Sequence, residues 1–80
     1  MKIIVTKDSI VSLENVRRVD MKSIESTHST YGKKYIVTDY YLNIHYNDNT
    51  SERIDCDVDD KGKAMMLELF NKIIDILKEE

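Results

Sequence analysis

The sequence contains no proline, no tryptophan, two glycines and a single cysteine, Cys56. One cysteine excludes an internal disulfide framework and a zinc site built from several cysteines. Because proline is absent, glycine is scarce and no low-complexity tract occurs, nothing in the sequence has the character of a linker. We therefore expect residues 1–80 to form a single domain.

Long apolar runs are missing as well. No stretch approaches the roughly 18 residues that a membrane-spanning helix requires, and the first eight residues lack the apolar core and cleavage site of a signal peptide. These observations predict a cytoplasmic protein that has no membrane partner. With 12 basic and 15 acidic residues the net charge is −3, which argues against nucleic-acid binding because neutralising phosphates requires an excess of Lys and Arg.

The small size of the chain makes its stability an issue from the start. A chain of 80 residues buries only about 60–65% of the surface that it exposes when unfolded. With no disulfide and no evident metal site, additional stability has to come from close packing or from a second subunit.

Alternation of apolar and polar residues predicts most of the secondary structure as strands. Tyr35 to Tyr46 carries the strongest signal, with Leu42 and Ile44 on the face predicted to be buried. The polar stretch from Glu25 to Lys34 breaks the pattern and predicts an exposed, mobile hairpin loop. The other predicted strands are Met1–Thr6, Ser9–Leu13, Val16–Lys22 and Thr50–Val58.

The hydrophobic faces also predict the turn between the last two strands. A three-residue loop at Asn47–Asn49 pairs Leu42 with Ile54 and keeps apolar residues on one face, whereas a two-residue loop would mix the faces. The same register pairs Tyr40 with Cys56. Asn49 would then adopt the left-handed conformation, which asparagine tolerates.

The last twenty residues have the spacing of an amphipathic helix. We expect Asp59 or Asp60 to cap it and the helix to run to about Leu77. Its main apolar face is roughly 120° wide, and three further residues widen the apolar arc to about 200°, whereas a helix on a single sheet needs about 100°. These three residues, which we predict to lie in an interface with a second subunit, are Met65, Leu69 and Ile76.

Candidate chemical sites are weak. The segment from Asp57 to Glu68 resembles a calcium loop, but Lys61 places a cation where an oxygen ligand belongs. Asp39, Asp55 and Asp57 could gather on the outer sheet face, because the predicted register places Asp39 opposite Asp57. Salt bridges to basic residues explain these carboxylates without a metal. Cys56 faces inward, where a thiol keeps a high pKa. We expect no enzymatic activity, no metal and no cofactor.

Histidine and tyrosine add no catalytic pattern. His28 is predicted to be exposed in the loop and His45 to be a partly exposed strand residue. Two of the five tyrosines, Tyr40 and Tyr46, fall on the core side. Tyr35 and Tyr41 fall on the other face. Their exposure there is equally compatible with an interface and with an ordinary strand that faces solvent.

The segments Ile10–Val16 and Tyr41–Tyr46, together with the closing helix, resemble small bacterial or phage proteins of the reduced pleckstrin-homology-like type. The resemblance covers most of the chain and implies a bent antiparallel sheet closed by a C-terminal helix. Lipid-binding members of that family carry a basic loop between their first strands and often a tryptophan in the helix. This sequence has neither, so the resemblance transfers no lipid function and no site residue.

The sequence therefore predicts an α+β fold, with four to five antiparallel strands and one C-terminal helix packed on the sheet. The predicted function is a noncatalytic protein-interaction or structural module that forms a homodimer. Two alternatives stay open. The stretch from Asp48 to Asp60, with six carboxylates and Arg53 as the basic residue near its centre, could make the protein an acidic inhibitor or decoy of a basic protein. Asp39, Asp55 and Asp57 could serve a small metal-dependent enzyme.

Overall fold

The computed structural model describes residues 2–79 of the chain. These residues form five strands followed by one helix. The elements are β1 (Ile3–Val5), β2 (Ile10–Ser12), β3 (Val16–Thr30), β4 (Lys33–Tyr46), β5 (Ser51–Val58) and α1 (Asp59–Lys78).

The α+β class is confirmed, and the strands are divided between two antiparallel sheets. β1 and β2 form a small hairpin, while the larger sheet has the order β3-β4-β5 and carries α1 on one face. Both sheets and the helix contribute to one core. Every second residue of a strand points towards the helix, and one apolar side of the helix points back towards the sheets. Its fully or almost fully buried members are Ile4, Val11, Leu13, Leu42, Ile44, Ile54, Met66 and Ile73.

The β3–β4 hairpin is much longer than expected, and the prediction of a loop over Glu25–Lys34 was wrong. Ladder pairing continues without interruption to Thr30 and Lys33. Only Tyr31 and Gly32 form the turn, and both have positive φ, 51° and 77°, as the type I′ turn of a tight hairpin requires. Serine, threonine and histidine are compatible with a strand that has two solvated faces, so the lack of apolar residues did not signal a loop.

The loop between β4 and β5 and the pairing of the two strands agree with the prediction from the loop back to Tyr41. Leu42 lies opposite Ile54, and Asn49 has a φ of 69°. A β-bulge then places one additional β5 residue between the pairs Tyr41–Asp55 and Asp39–Val58. The predicted pairing of Asp39 with Asp57 was therefore wrong, and so was the expectation of a regular register to the end of β5.

The junction between β5 and α1 differs from the predicted cap. Val58, whose side chain cannot accept a hydrogen bond, occupies the N-cap position. Asp59 instead accepts the backbone N–H of Thr38 at 3.1 Å, and this contact ties the start of the helix to β4. The chain passes so close to itself here that a Cβ on Gly62 would lie 1.8 Å from the carbonyl oxygen of Asp57.

The helix α1 does not have the character of a membrane segment. Within residues 2–79, no helix combines the length and the apolar content needed to cross a bilayer.

Candidate interaction surfaces

A groove runs between the β1–β2 turn, strand β5 and helix α1. Its volume is about 540 Å³. One wall is five consecutive residues of β5, the other is the β1–β2 turn, and the helix forms the floor with two of the residues that we predicted for an interface, Met65 and Leu69. The lining residues are Val5, Thr6, Lys7, Asp8, Ser9, Arg53, Ile54, Asp55, Cys56, Asp57, Met65, Glu68, Leu69 and Lys72.

Ion pairs hold the charged side chains at the rim of this groove. Arg53 Nε lies 2.7 Å from Asp55 Oδ1, and Lys72 Nζ lies 3.3 Å from Glu68 Oε1. Asp57 accepts the N–H of Val58, at 2.8 Å, and lies 3.3 Å from Lys61. These contacts hold the pKa of Asp57 below its usual value, chiefly through the backbone hydrogen bond. The groove lining thus carries four carboxylates and three basic side chains, a formal charge of −1 at neutral pH, and Asp55 and Glu68 are mostly exposed.

Cys56 is half-buried at the wall of the groove. Burial, with a smaller contribution from the charge of Asp55, raises the pKa of its thiol. A raised pKa is the opposite of what a nucleophilic cysteine needs, because the reactive species is the thiolate.

The outer face of the larger sheet carries Tyr35 and Tyr41. The guanidinium of Arg53 lies over the ring of Tyr41, 4.0 Å from its centroid, a cation–π contact. Tyr35 stacks on His28 with ring centroids 5.5 Å apart, and its side chain keeps about half of its surface exposed. On the same face Asp20 contacts Arg18 and His45, at 3.1 Å and 3.2 Å.

The far half of the β3–β4 hairpin extends away from the rest of the molecule. We call the segment Ile24–Thr38 the arm. β5 pairs with β4 only from Asp39 to His45, so the arm is a two-stranded ribbon, and it contributes to the 53 Å length of a molecule that is 23 Å by 18 Å in cross-section. The large apolar side chains exposed on it are Ile24, Tyr31, Tyr35 and Ile36, with Ile36 at 63%.

The five predicted interface residues fall in three places. Met65 and Leu69 lie together in the groove. Ile76 is half-buried and packs against the core, as Leu69 also does. Tyr35 and Tyr41 lie on the opposite face of the sheet, because odd-numbered β4 residues point away from Leu42 and the helix.

Sequence reasoning missed the exposure of Ile36. The alternation placed it on the buried face, which is correct for its direction, but the helix and β5 do not reach that far along β4. The lengths of the two predicted strands could have indicated this exposure. The predicted β4 was longer than the predicted β5, so one end of β4 had to lack a neighbouring strand on that side.

The aspartates considered as metal ligands do not converge. Asp55 is held by Arg53 and Asp57 by Lys61, while Asp39 pairs with Val58 across the bulge. In the part of the chain that the structure describes, residues 2–79, no three His, Cys, Asp or Glu side chains are grouped so that they could hold a metal ion.

The fold and these surfaces define an α+β protein with two prominent features, an arm that carries exposed apolar side chains and a groove between β5 and α1. No protein-family model matches the chain, and neither a curated protein nor a solved structure matches it.

Proposed function

We propose that this protein is a noncatalytic interaction module that acts as a homodimer. The observation that carries the proposal is the arm. Ile24, Tyr35 and Ile36 remain 45%, 48% and 63% exposed on it, while the core of the same chain ends near Tyr40.

Two physical arguments connect the arm with self-association. A two-stranded ribbon is at best marginally stable by itself in water, so a partner that covers it adds stability that a small chain otherwise lacks. Exposed apolar side chains that are grouped together commonly mark interaction sites. The most frequent partner in soluble assemblies is a second copy related by a twofold axis.

Sedimentation equilibrium of the purified chain tests the proposal. We expect a mass of about twice 9.4 kDa at high micromolar concentration. Ile36→Ser should shift the equilibrium towards the monomer without unfolding the protein, because the side chain is mostly exposed. Leu69→Asp should also give monomer, and circular dichroism at each concentration separates dissociation from unfolding.

The control is Leu67→Ser, which alters another exposed apolar residue, 42% exposed, on the helix and outside the groove. A wild-type chain that stays at 9.4 kDa at every concentration, with Ile36→Ser and Leu69→Asp unchanged from it, would refute the proposal.

A second candidate function is capture of a basic protein by the acidic surface. It is supported by the placement of Glu52, Asp55 and Asp57 on β5, the edge strand of the larger sheet. Binding of a lysine-rich partner should then weaken steeply as salt is raised, and binding that is insensitive to salt would argue against it. We also propose, on the order of strands and closing helix, that the fold is of the reduced pleckstrin-homology-like type. We further propose that the protein is cytoplasmic.

A further inference from the structure

Strand β4 has an open edge beside the end of β5. β4 contains 14 residues, and β5 lies beside it only from Asp39 to His45. The stretch Lys33–Thr38, about 20 Å of strand at roughly 3.3 Å per residue, therefore has β3 on one side and no strand on the other within residues 2–79. We call this open stretch the notch.

Backbone direction shows which groups face the notch. Thr38 donates its N–H to Asp59 on the notch side, at 3.1 Å. Because backbone groups alternate between the two sides of a strand, the N–H and C=O groups of Lys34 and Ile36 also point into the notch.

Strand β5 has an open edge too, along the wall of the groove. Tyr46, opposite Thr50, donates its N–H to Thr50 C=O at 2.9 Å, so Thr50 directs its backbone towards β4. By the same alternation, up to the bulge, Arg53 and Asp55 direct their N–H and C=O groups away from β4 and into the groove. An extended segment could add to this edge as a further strand.

The two open edges have opposite charge. Strand β5 contains Glu52, Asp55 and Asp57 with one arginine, whereas Lys33–Thr38 contains two lysines and no acidic residue. Opposite charges on neighbouring strands stabilise their pairing and like charges oppose it. Pairing of β5 side by side with β5 of another copy would place acidic residues directly opposite each other, so the basic notch is the better partner for this edge.

We propose that the notch of one copy pairs with the groove edge of β5 in a second copy, and that the second copy returns the same contact. This inference rests on the proposed homodimer and names its interface. The occupant of the groove is thus the segment Lys33–Val37 of another molecule of the same chain.

A twofold axis perpendicular to the larger sheet gives this arrangement. It places the two β5 strands end to end between the two β4 strands, so that each β4 has its own β5 beside one half and the partner's β5 beside the other. The new pairs are parallel, and the helices of both copies stay on one face of a continuous sheet. Such an interface is isologous and closes at two copies.

This arrangement brings side chains of the two copies together on both faces of the sheet. On the helix side, Ile36 of the arm comes over Met65 and Leu69 at the floor of the groove, and Lys34 comes near Glu68. On the outer face Lys33 comes beside Arg53 and Asp55, which form an ion pair at 2.7 Å in each copy. The arrangement accounts for the exposure of Ile36 and for the apolar floor of the groove with a single contact.

Charge reversal tests the pairing directly. One variant is Lys33→Glu/Lys34→Glu, with an acidic arm and the native acidic groove. The other is Asp55→Lys/Glu68→Lys, with a basic groove and the native basic arm. All four side chains are exposed, so the fold should tolerate the changes. The matched control for the first variant is Arg17→Glu/Lys63→Glu, which alters net charge equally outside both surfaces.

Each reversed variant should dimerise about a hundredfold more weakly than the wild type, since four charges are reversed in each dimer and each contributes about threefold. The control should dimerise like the wild type. An equimolar mixture of the two reversed variants should form a heterodimer, because each acidic surface then meets a basic one. Sedimentation velocity of each sample and of the mixture measures this.

The contradicting results are distinct. A wild type that dimerises together with reversed variants that dimerise equally well would overturn this interface and leave the proposed homodimer standing. Reversed variants that fail to pair on mixing would overturn it as well. A monomeric wild type would overturn both the interface and the proposed function.

Discussion

Replacing Gly62 by alanine should destabilise the protein, although Gly62 lies in a helix where alanine is normally favoured. The reason is the junction between β5 and α1. An added Cβ would lie 1.8 Å from the carbonyl oxygen of Asp57 and 2.2 Å from its carbonyl carbon. Because these are backbone atoms next to a β-bulge, the clash cannot be relieved by turning a side chain.

The expected size follows from two opposing effects. The contact to the oxygen must widen from 1.8 Å to about 3.4 Å, and overpacking of this kind costs about 1–3 kcal/mol or more. Helix propensity returns about 1 kcal/mol. Since the clash is with backbone, we expect a net loss of about 2 kcal/mol or more, a large part of the roughly 4–12 kcal/mol available to a domain of this size.

Urea unfolding monitored by circular dichroism measures the loss, and Gly32→Ala is the matched control. Gly32 has a φ of 77° with open space around it, so alanine there should cost only about 1 kcal/mol, through the strained turn. A stabilised Gly62→Ala variant, as helix propensity alone would give, would show that the close approach of Asp57 and α1 is wrong.

Two further predictions concern stability. Ile73→Ala should cost about 2–5 kcal/mol in urea unfolding, because the side chain is completely buried in the core, whereas Ile76→Ala, at a half-buried position, should cost clearly less; equal losses would contradict the described packing. The pKa of Asp57 is lowered in the folded protein. The ionised carboxylate therefore adds to the free energy of unfolding above the ordinary aspartate pKa, and this stabilisation is lost as the pH falls through the lowered pKa. The variant Asp57→Asn should therefore lose less stability than the wild type between about pH 5 and pH 2, where aspartates titrate. Urea unfolding at each pH measures this, and an equal loss of stability in the variant and the wild type would refute it.

The parts of the fold set by local alternation were predictable from the sequence. Leu42 and Ile44 lie on one face of β4 and indicated which side of the sheet packs on the core. Keeping apolar residues on that face alone predicted the three-residue loop at Asn47–Asn49. The α+β class follows from these strands and the helical spacing of the last twenty residues.

The long hairpin and the β-bulge were not predictable in the same way. Between Glu25 and Lys34 there is no apolar alternation to predict a strand. The ladder between β3 and β4 depends there on backbone hydrogen bonds and on the turn at Tyr31 and Gly32. At the bulge, one additional residue in β5 changes the partner of Asp39 because the chain must turn into α1. Gly62 marks that turn, yet its role depends on a contact with Asp57 that the sequence does not display.

The candidate surfaces were predictable only in part. The wide apolar arc of α1 led to Met65 and Leu69, which do line the groove. That these two residues contact a second copy of the chain remains a prediction. The notch depends on where β5 ends relative to β4, and that offset is a property of the assembled sheet.

Amide hydrogen exchange measured by nuclear magnetic resonance at several protein concentrations tests most directly whether the open edges of β4 and β5 pair between copies. We predict that the amides of Lys34 and Ile36, in the notch, and of Arg53 and Asp55, on the β5 edge, become protected together as the protein concentration rises. Amides of β3 and β4 that face each other should not change. Exchange of the four edge amides that is equally fast in dilute and concentrated samples would contradict the account.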